Sequence, residues 1–347
     1  MEQPEPRGFP TAQDPRQEHG NRKAARGSFP TYLRFSVTDR CNFRCRYCRV
    51  DGAFVVLDHE EILRYEEIRR IVAVAASAGV WKVRLTGGEP LVRKDLPDLV
   101  EQIAALESVR DLCLTTNGTL LPRLARKLKD AGLSRVSVSL DSLDRDRFKN
   151  ITGVDRLHLV LEGIDAALEA GLTPLKINAV VLRGVNDDEI PAFAELARTR
   201  KIEVRFIEFM PLGVRSWTEQ FFPATEMEAR LREALPAPPE VLPGMAPATR
   251  RLGLPGGGVI GLITPISAPF CDSCNRLRVT SDGQLRACLL AGGEVDLKGP
   301  LRAGATDEEL LALFQRAWSL KPAWHGVRSG HPPVHPPECG GMRRIGG

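Results

Sequence analysis

No stretch of the 347-residue chain approaches about 18 uninterrupted apolar residues, which excludes a membrane-spanning helix. Met1 to Thr31 is polar, with scattered Pro and Arg, so no secretory signal is expected there. Charge of one sign is missing too: 48 Lys and Arg stand against 44 Asp and Glu. A net charge of +4 gives no argument for a nucleic-acid or membrane partner. Residues 1–28 hold almost no apolar side chains; they cannot bury enough surface to offset ordering and read as a disordered tail. What remains is an ordinary globular composition, 43% hydrophobic and 27% charged, at a length that suits two modest domains or one large α/β domain with an appendage. The unusual feature is eight cysteines. Without an export signal they read as reduced thiols, metal ligands or reactive groups rather than disulfides.

From residue 29 to about 210, short apolar runs alternate with helical periodicity. The runs are Leu33–Thr38, Lys82–Thr86, Asp111–Thr116, Arg135–Leu140, Leu175–Leu182 and Glu203–Phe209. Leu157, Val160, Leu161, Ile164 and Leu168 recur at helical spacing, as do Ile190, Phe193, Ala194 and Ala197. Gly79, Gly132 and Gly171 each follow such a segment, where a left-handed cap is expected. Six strands joined by crossover helices imply parallel βα units. An open doubly wound sheet and a partial or full (β/α) barrel both satisfy that pattern. Alternation within the strands helps to choose, because successive side chains point to opposite faces. Arg34, Ser36 and Thr38 share one face, as do Lys82, Arg84 and Thr86; Ser137, Ser139 and Asp141; and Lys176 with Asn178. A sheet covered by helices on both sides would be apolar on both. One polar face fits an incomplete (β/α)6 TIM-like barrel with a wet, charged lumen, the bland alternative being strands exposed to solvent on one side.

Residues 211–250 are rich in Pro and Ala, with one helix expected near Thr225–Leu235. A Gly-rich segment, Gly253–Gly261, leads to a second cysteine region of small α+β character. There Asp282-Gly283 signals a hairpin turn between Leu277–Val279 and Leu285–Cys288. Asp307 to Trp318 reads as an amphipathic helix, followed by Pro- and His-rich coil.

Two constellations carry chemistry. Cys41, Cys45 and Cys48 lie in the loop leaving the first strand, with the spacing C-x3-C-x2-C and no nearby His. Three such thiolates can hold three irons of a four-iron cluster and leave the fourth open; a zinc site would need a fourth ligand. Cys271, Cys274 and Cys288 form a second set of three, for which a zinc hairpin is the alternative. Cys113, inside an apolar strand, reads as a small buried hydrophobe, and Cys339 has no evident role.

The first motif resembles the signature of the radical S-adenosylmethionine enzymes, and the resemblance continues at later strand ends. Those ends read Thr86-Gly87-Gly88-Glu89-Pro90, Thr115-Thr116-Asn117-Gly118, Ser139-Leu140-Asp141 and Ile207-Glu208-Phe209-Met210-Pro211. Ligands bind at such carboxyl ends in barrels and open α/β sheets. Two three-cysteine sets, the Cys274-Asn275-Arg276-Leu277-Arg278 block and the terminal Arg344-Ile345-Gly346-Gly347 resemble the branch of that family that cyclises GTP to begin molybdenum cofactor biosynthesis. That resemblance runs from about Tyr32 to the C-terminus.

It implies two [4Fe-4S] clusters on Cys41, Cys45 and Cys48 and on Cys271, Cys274 and Cys288, with S-adenosylmethionine on the first. Tyr47, Gly88, Ser139 and Met210 would surround S-adenosylmethionine, with Arg205 as partner of its methionine carboxylate. Arg34, Arg84, Thr115, Lys176, Arg276, Leu277 and Arg278 would contact GTP, Leu277 through its backbone, and Lys82 shares their face. The implied reaction removes the hydrogen from the 3′ carbon of the ribose and closes that carbon onto carbon 8 of guanine. Implied as well are a ferredoxin or flavodoxin as low-potential donor, a downstream cyclic pyranopterin monophosphate synthase, a homodimer, reducing cytoplasm, and a Gly-Gly tail reaching the active site. The expected divisions are a tail (1–28), the partial barrel (29–245), an iron–sulfur and substrate-binding region (246–325) and the terminal tail (326–347). Arg49-Val50 replaces the family's usual Met-Pro, and His331–Gly341 is atypical. The other readings are a radical enzyme with an auxiliary cluster acting on a peptide, and a zinc-stabilised nucleic-acid-binding module, against which the basic residues are dispersed.

Overall fold

In a computed structural model the described residues are 29–48, 56–212, 217–243, 249–327 and residue 345. The N-terminal tail, Arg49-Val50, His331–Gly341 with Cys339, and Gly346-Gly347 lie outside them.

Six parallel strands form the centre of one sheet: β1 (Tyr32–Ser36), β2 (Lys82–Thr86), β3 (Asp111–Thr116), β4 (Arg135–Ser139), β5 (Lys176–Val181) and β6 (Glu203–Glu208). The intervening helices are α1 (Tyr65–Ser77), α2 (Leu96–Ala104), α3 (Leu121–Asp130), α4 (Arg145–Thr152), α5 (Leu157–Glu169) and α6 (Ile190–Arg200). Sequence alternation becomes two faces. Leu33, Phe35, Val83, Leu85, Val136 and Val138 are buried in the core shared with the helices, while the polar set turns inward. On α3, Leu121, Ala125 and Leu128 fall on one stripe and are buried. Gly132 follows that helix at φ 96°, a conformation that only glycine adopts without strain.

Beyond α7 (Trp217–Gln220) and α8 (Ala224–Ala234) come β7 (Glu240–Leu242), β8 (Thr249–Gly253), β9 (Val259–Ile263), β10 (Arg276–Val279), β11 (Gln284–Cys288) and β12 (Gly292–Asp296), then α9 (Lys298–Arg302) and α10 (Asp307–Ser319). The Gly-rich segment is the β8–β9 hairpin. The Asp282-Gly283 turn joins β10 to antiparallel β11 as the sequence predicts. The C-terminal region makes no layer of its own. β9 adds parallel to β6 and β10 adds parallel to β1, so it extends both edges of one twelve-stranded sheet. β12 and β7 are the outer strands and do not pair with each other, which leaves the barrel incomplete. Among the described residues no helix is long and apolar enough to cross a membrane.

Candidate active site

The inward face of the sheet lines a cavity of about 930 Å³. Eleven Arg and Lys side chains but four carboxylates are among its described lining residues, so the space suits a polyanion. Strand register concentrates that charge. Arg34 sits directly between Arg278 on β10 and Arg84 on β2, and one rung nearer the strand starts Tyr32 sits between Arg276 and Lys82. Neighbouring strands are about 4.8 Å apart, and like charges placed opposite one another destabilise a sheet. Such a row is costly to the empty fold and useful only to a ligand.

The row is held in place by hydrogen bonds. Arg84 donates through Nε to the Tyr32 hydroxyl (2.8 Å) and through one terminal nitrogen to Thr115 (2.9 Å) and Ser137 (3.0 Å). Arg276 lies over the Tyr32 and Phe270 rings. Burial would raise the Tyr32 phenol, but Arg84, Arg34, Lys82 and Arg276 pull it down to about 7. Burial, reinforced by Arg278, Arg84 and Arg276, drives the Arg34 guanidinium well below its usual range. For Arg278, burial and Arg276 give a value of about 10. Two acids balance part of this field. Asp111 pairs with Lys82 (3.1 Å) and Arg135, and Glu203 pairs with Lys176 (3.0 Å) and Arg205 (2.5 Å). Lys176 is lowered to about 7 by burial and Arg205 despite Glu203.

The carboxyl ends of the strands are organised by buried acids that accept loop N–H groups. Glu89 takes bonds from Asn117 N–H (2.6 Å), Leu91 N–H (3.0 Å) and the Thr116 hydroxyl (2.7 Å), yet burial still lifts it to about 7. Asp141 accepts from the Tyr47 hydroxyl (2.6 Å) and Val180 N–H (2.9 Å), and burial lifts it to about 6. Gly88 N–H donates to Thr38 O (2.7 Å), and a Cβ at Gly88 would stand 2.4 Å from Arg40 O. Gly88→Ala is therefore expected to push the β2 loop off the cysteine loop at a cost of about 1–3 kcal/mol. Thermal unfolding and iron retention after reconstitution will check this; a variant matching wild type in both would refute it.

All six predicted ligand cysteines line the cavity, and no disulfide joins them. Cys41, Cys45 and Cys48 follow β1, at the carboxyl end of the parallel strands. Cys271 and Cys274 precede β10, which runs parallel to β1, and Cys288 ends antiparallel β11. The second set therefore stands at the opposite end of the cavity, with the cation row between the two. Among the described residues no three His, Cys, Asp or Glu converge as a single-ion site. Three thiols on one loop at one end, and three on a loop and the strand paired beside it at the other, have the donor chemistry of a four-iron cluster with one open iron.

Every other predicted contact residue lines this cavity except Leu277, whose side chain is in the apolar core. Arg205 lines it but donates to Glu203, in a field that includes Arg84 and Arg135. Cys113 is buried as expected, yet it lies on the lumenal side of β3, where its thiol donates to Asp111 (2.9 Å). Sequence reasoning missed Tyr32, Asp111, Arg135 and Glu203. Tyr32, Arg135 and Glu203 each precede a recognised polar position by two residues and Asp111 precedes Thr115 by four, so the same alternation, extended toward the strand starts, points to them. Arg251, Lys321 and His325 carry no such signal.

A partial barrel with a three-cysteine loop after its first strand defines a radical S-adenosylmethionine protein, and residues 35–197 match the Radical SAM superfamily. Residues 202–327 match Molybdenum Cofactor Synthesis C. The chain is 50% identical over 303 residues to the GTP 3′,8-cyclase of Moorella thermoacetica, covering 86% of this chain and 93% of that protein. It is 43% identical over 319 residues to the GTP 3′,8-cyclase of Thermodesulfovibrio yellowstonii, covering 91% and 97%. It belongs to the GTP 3′,8-cyclase family. Among solved structures, Streptococcus suis SuiB has a TM-score of 0.60 at 17% identity over 86% of this chain and 68% of that one. Native anSMEcpe with bound AdoMet has 0.55 at 14% over 84% and 83%. These last two likenesses concern the fold alone.

Proposed function

We propose that this chain converts GTP to (8S)-3′,8-cyclo-7,8-dihydroguanosine 5′-triphosphate, the first step of molybdenum cofactor biosynthesis. The observation that carries the reading is the row of cations set between two open three-cysteine sets. Two [4Fe-4S] clusters and S-adenosylmethionine, when bound, supply the reductive radical chemistry. The protein's part is position and charge.

Arg34, Arg84, Arg276 and Arg278 meet the polyphosphate as convergent donors, and Thr115 and Tyr32 hold Arg84 in its orientation. Lys176 adds a further positive charge. Its neighbour Arg205, held by Glu203, stands level with Ser139 through Asn178 and partners the methionine carboxylate of S-adenosylmethionine. Leu277 contributes backbone only. At the other end Tyr47, Gly88, Ser139 and Met210 surround S-adenosylmethionine, with Asp141 fixing Tyr47. The walls exclude water and hold the ribose near the cofactor, which makes the encounter effectively unimolecular.

By the family reading, a low-potential ferredoxin or flavodoxin supplies the electron and a cyclic pyranopterin monophosphate synthase takes the product. The same reading makes the enzyme a homodimer of the reducing cytoplasm. Residues 29–245 and 246–325 act as barrel and substrate-binding region.

The test is anaerobic reconstitution with iron and sulfide counts, then incubation with S-adenosylmethionine, GTP and dithionite. About eight irons per chain, with GTP-dependent 5′-deoxyadenosine and a cyclised GTP, are expected. 5′-Deoxyadenosine with GTP unaltered would overturn the nucleotide substrate, and zinc without sulfide would overturn the enzyme.

A further inference from the structure

Lys321 lies just past α10, far in sequence from either cysteine set, and its side chain ends in the cavity beside the second one. Its ammonium donates to the Arg276 carbonyl on β10 (2.8 Å) and to the Ala287 carbonyl on β11 (2.9 Å). Both carbonyls lie on the segments that carry Cys274 and Cys288, and Lys321 lines the cavity together with Cys271, Cys274 and Cys288. An ammonium has three protons, and these two carbonyls take two of them. The stem is fixed as well, since Nζ sits 5.2 Å from the centre of the Trp318 ring.

The position matters because the β10–β11 ladder stops short of the cysteines. Its registered pairs are Arg278 with Arg286 and Val279 with Leu285. Toward the cavity mouth the two strands carry Cys274 and Arg276 on one side and Cys288 on the other, and Lys321 bridges them there. Four residues on, His325 also lines the cavity, and its ring nitrogen contacts the Pro265 carbonyl (2.8 Å). The segment after α10 thus borders the cavity beside the second cysteine set.

We propose that Lys321 is a positioning residue for the second cluster. It closes the open end of the cluster hairpin, sets Arg276 relative to Cys274, and places one fixed positive charge against the thiolates. This inference rests on the reading of Cys271, Cys274 and Cys288 as cluster ligands. Reduction adds negative charge to a cluster, so a neighbouring cation favours the reduced state; hydrogen bonds to the sulfurs act in the same sense.

The experiment uses the reconstituted holoprotein and compares wild type, Lys321→Met and Lys321→Arg. Each is followed by electron paramagnetic resonance during a reductive titration and by equilibrium binding of GTP. Lys321→Met keeps an apolar stem against Trp318 and loses the charge and all three donors. It is expected to lower the potential of the second cluster and to weaken GTP binding about tenfold or more. The first cluster's signal and potential should stay where they are, which separates the effect from general unfolding. Lys321→Arg should restore the potential in large part. An unchanged second-cluster potential and unchanged GTP affinity in Lys321→Met, with both clusters present, would overturn the role of Lys321. A wild-type protein that binds only one cluster would instead overturn the ligand assignment on which it rests.

Discussion

Replacing Arg34 with Met is expected to weaken GTP binding roughly 100-fold, about 3 kcal/mol, while raising the melting temperature of the ligand-free protein. The two effects have one cause. Arg34 stands between Arg278 and Arg84 in adjacent strands, and Arg276 and Lys82 flank Tyr32 one rung away. Burial and these like charges push its guanidinium well below the usual range, so in the empty protein its charged form is disfavoured relative to the unfolded chain. A side chain of similar length without charge removes that repulsion; an increase of about 2 °C is the expected scale. With GTP present the balance reverses, because phosphate oxygens meet the charges that burden the empty site. Calorimetric binding and thermal unfolding, each with and without GTP, will check both halves. A lower melting temperature together with unaltered affinity would place the polyphosphate elsewhere.

GTP affinity is also expected to fall as pH rises above 7, while the empty protein grows more stable over the same interval. Lys176 and Tyr32 both titrate at about 7 in the fold, against roughly 10.4 and 10 for the free side chains. Between pH 7 and 10 the folded state has therefore released protons that the unfolded chain retains. Stability rises with pH wherever the unfolded state binds more protons. A polyanion acts the other way. It favours ammonium on Lys176 and neutral phenol on Tyr32, so binding takes up protons, and affinity drops by up to about tenfold per pH unit for each one. Titration calorimetry at pH 7, 8 and 9 in two buffers of different ionisation enthalpy measures that uptake directly. Lys176→Arg should remove its share of the slope. Proton release on binding, or an affinity flat across this range, would show that neither group faces the phosphates.

The two results bear on how the row came to be visible. Period-two alternation marked Arg34, Arg84 and Lys176 as sharing a face, because that period follows from the covalent geometry of any strand. The same reasoning, carried two residues toward the strand start, reaches Tyr32, Arg135 and Glu203, and carried four residues before Thr115 it reaches Asp111; all four line the cavity. The cysteine spacings and strand-end motifs were readable for a similar reason. The first cysteine set and each strand-end motif lie within about ten residues, and the second set is closed by one hairpin turn, so local chain geometry brings the groups together. The helices around Leu157, Ile190, Thr225 and Asp307 were legible from their apolar stripes.

What the local pattern leaves open is which strand lies beside which across long separations. Tyr32 meets Arg276 because β10 adds to the edge of β1, and Arg251 reaches the Glu203 carboxylate (3.7 Å) because β8 and β9 extend the edge beyond β6. A strand edge presents unpaired N–H and C=O groups that any segment of suitable length can satisfy. The choice among such segments is made by burial of the whole sheet. Lys321 is the clearest case. Its own neighbourhood in sequence, Leu320-Lys321-Pro322, says only that a helix has ended, whereas the fold sets its ammonium against two strands that flank the second cysteine set. Covalent geometry and short-range periodicity therefore specified the fold class, the two three-cysteine sets and part of the cation row. The pairing of distant edges specified the rest: how the two cysteine sets face each other across the cavity, and which charges stand between them.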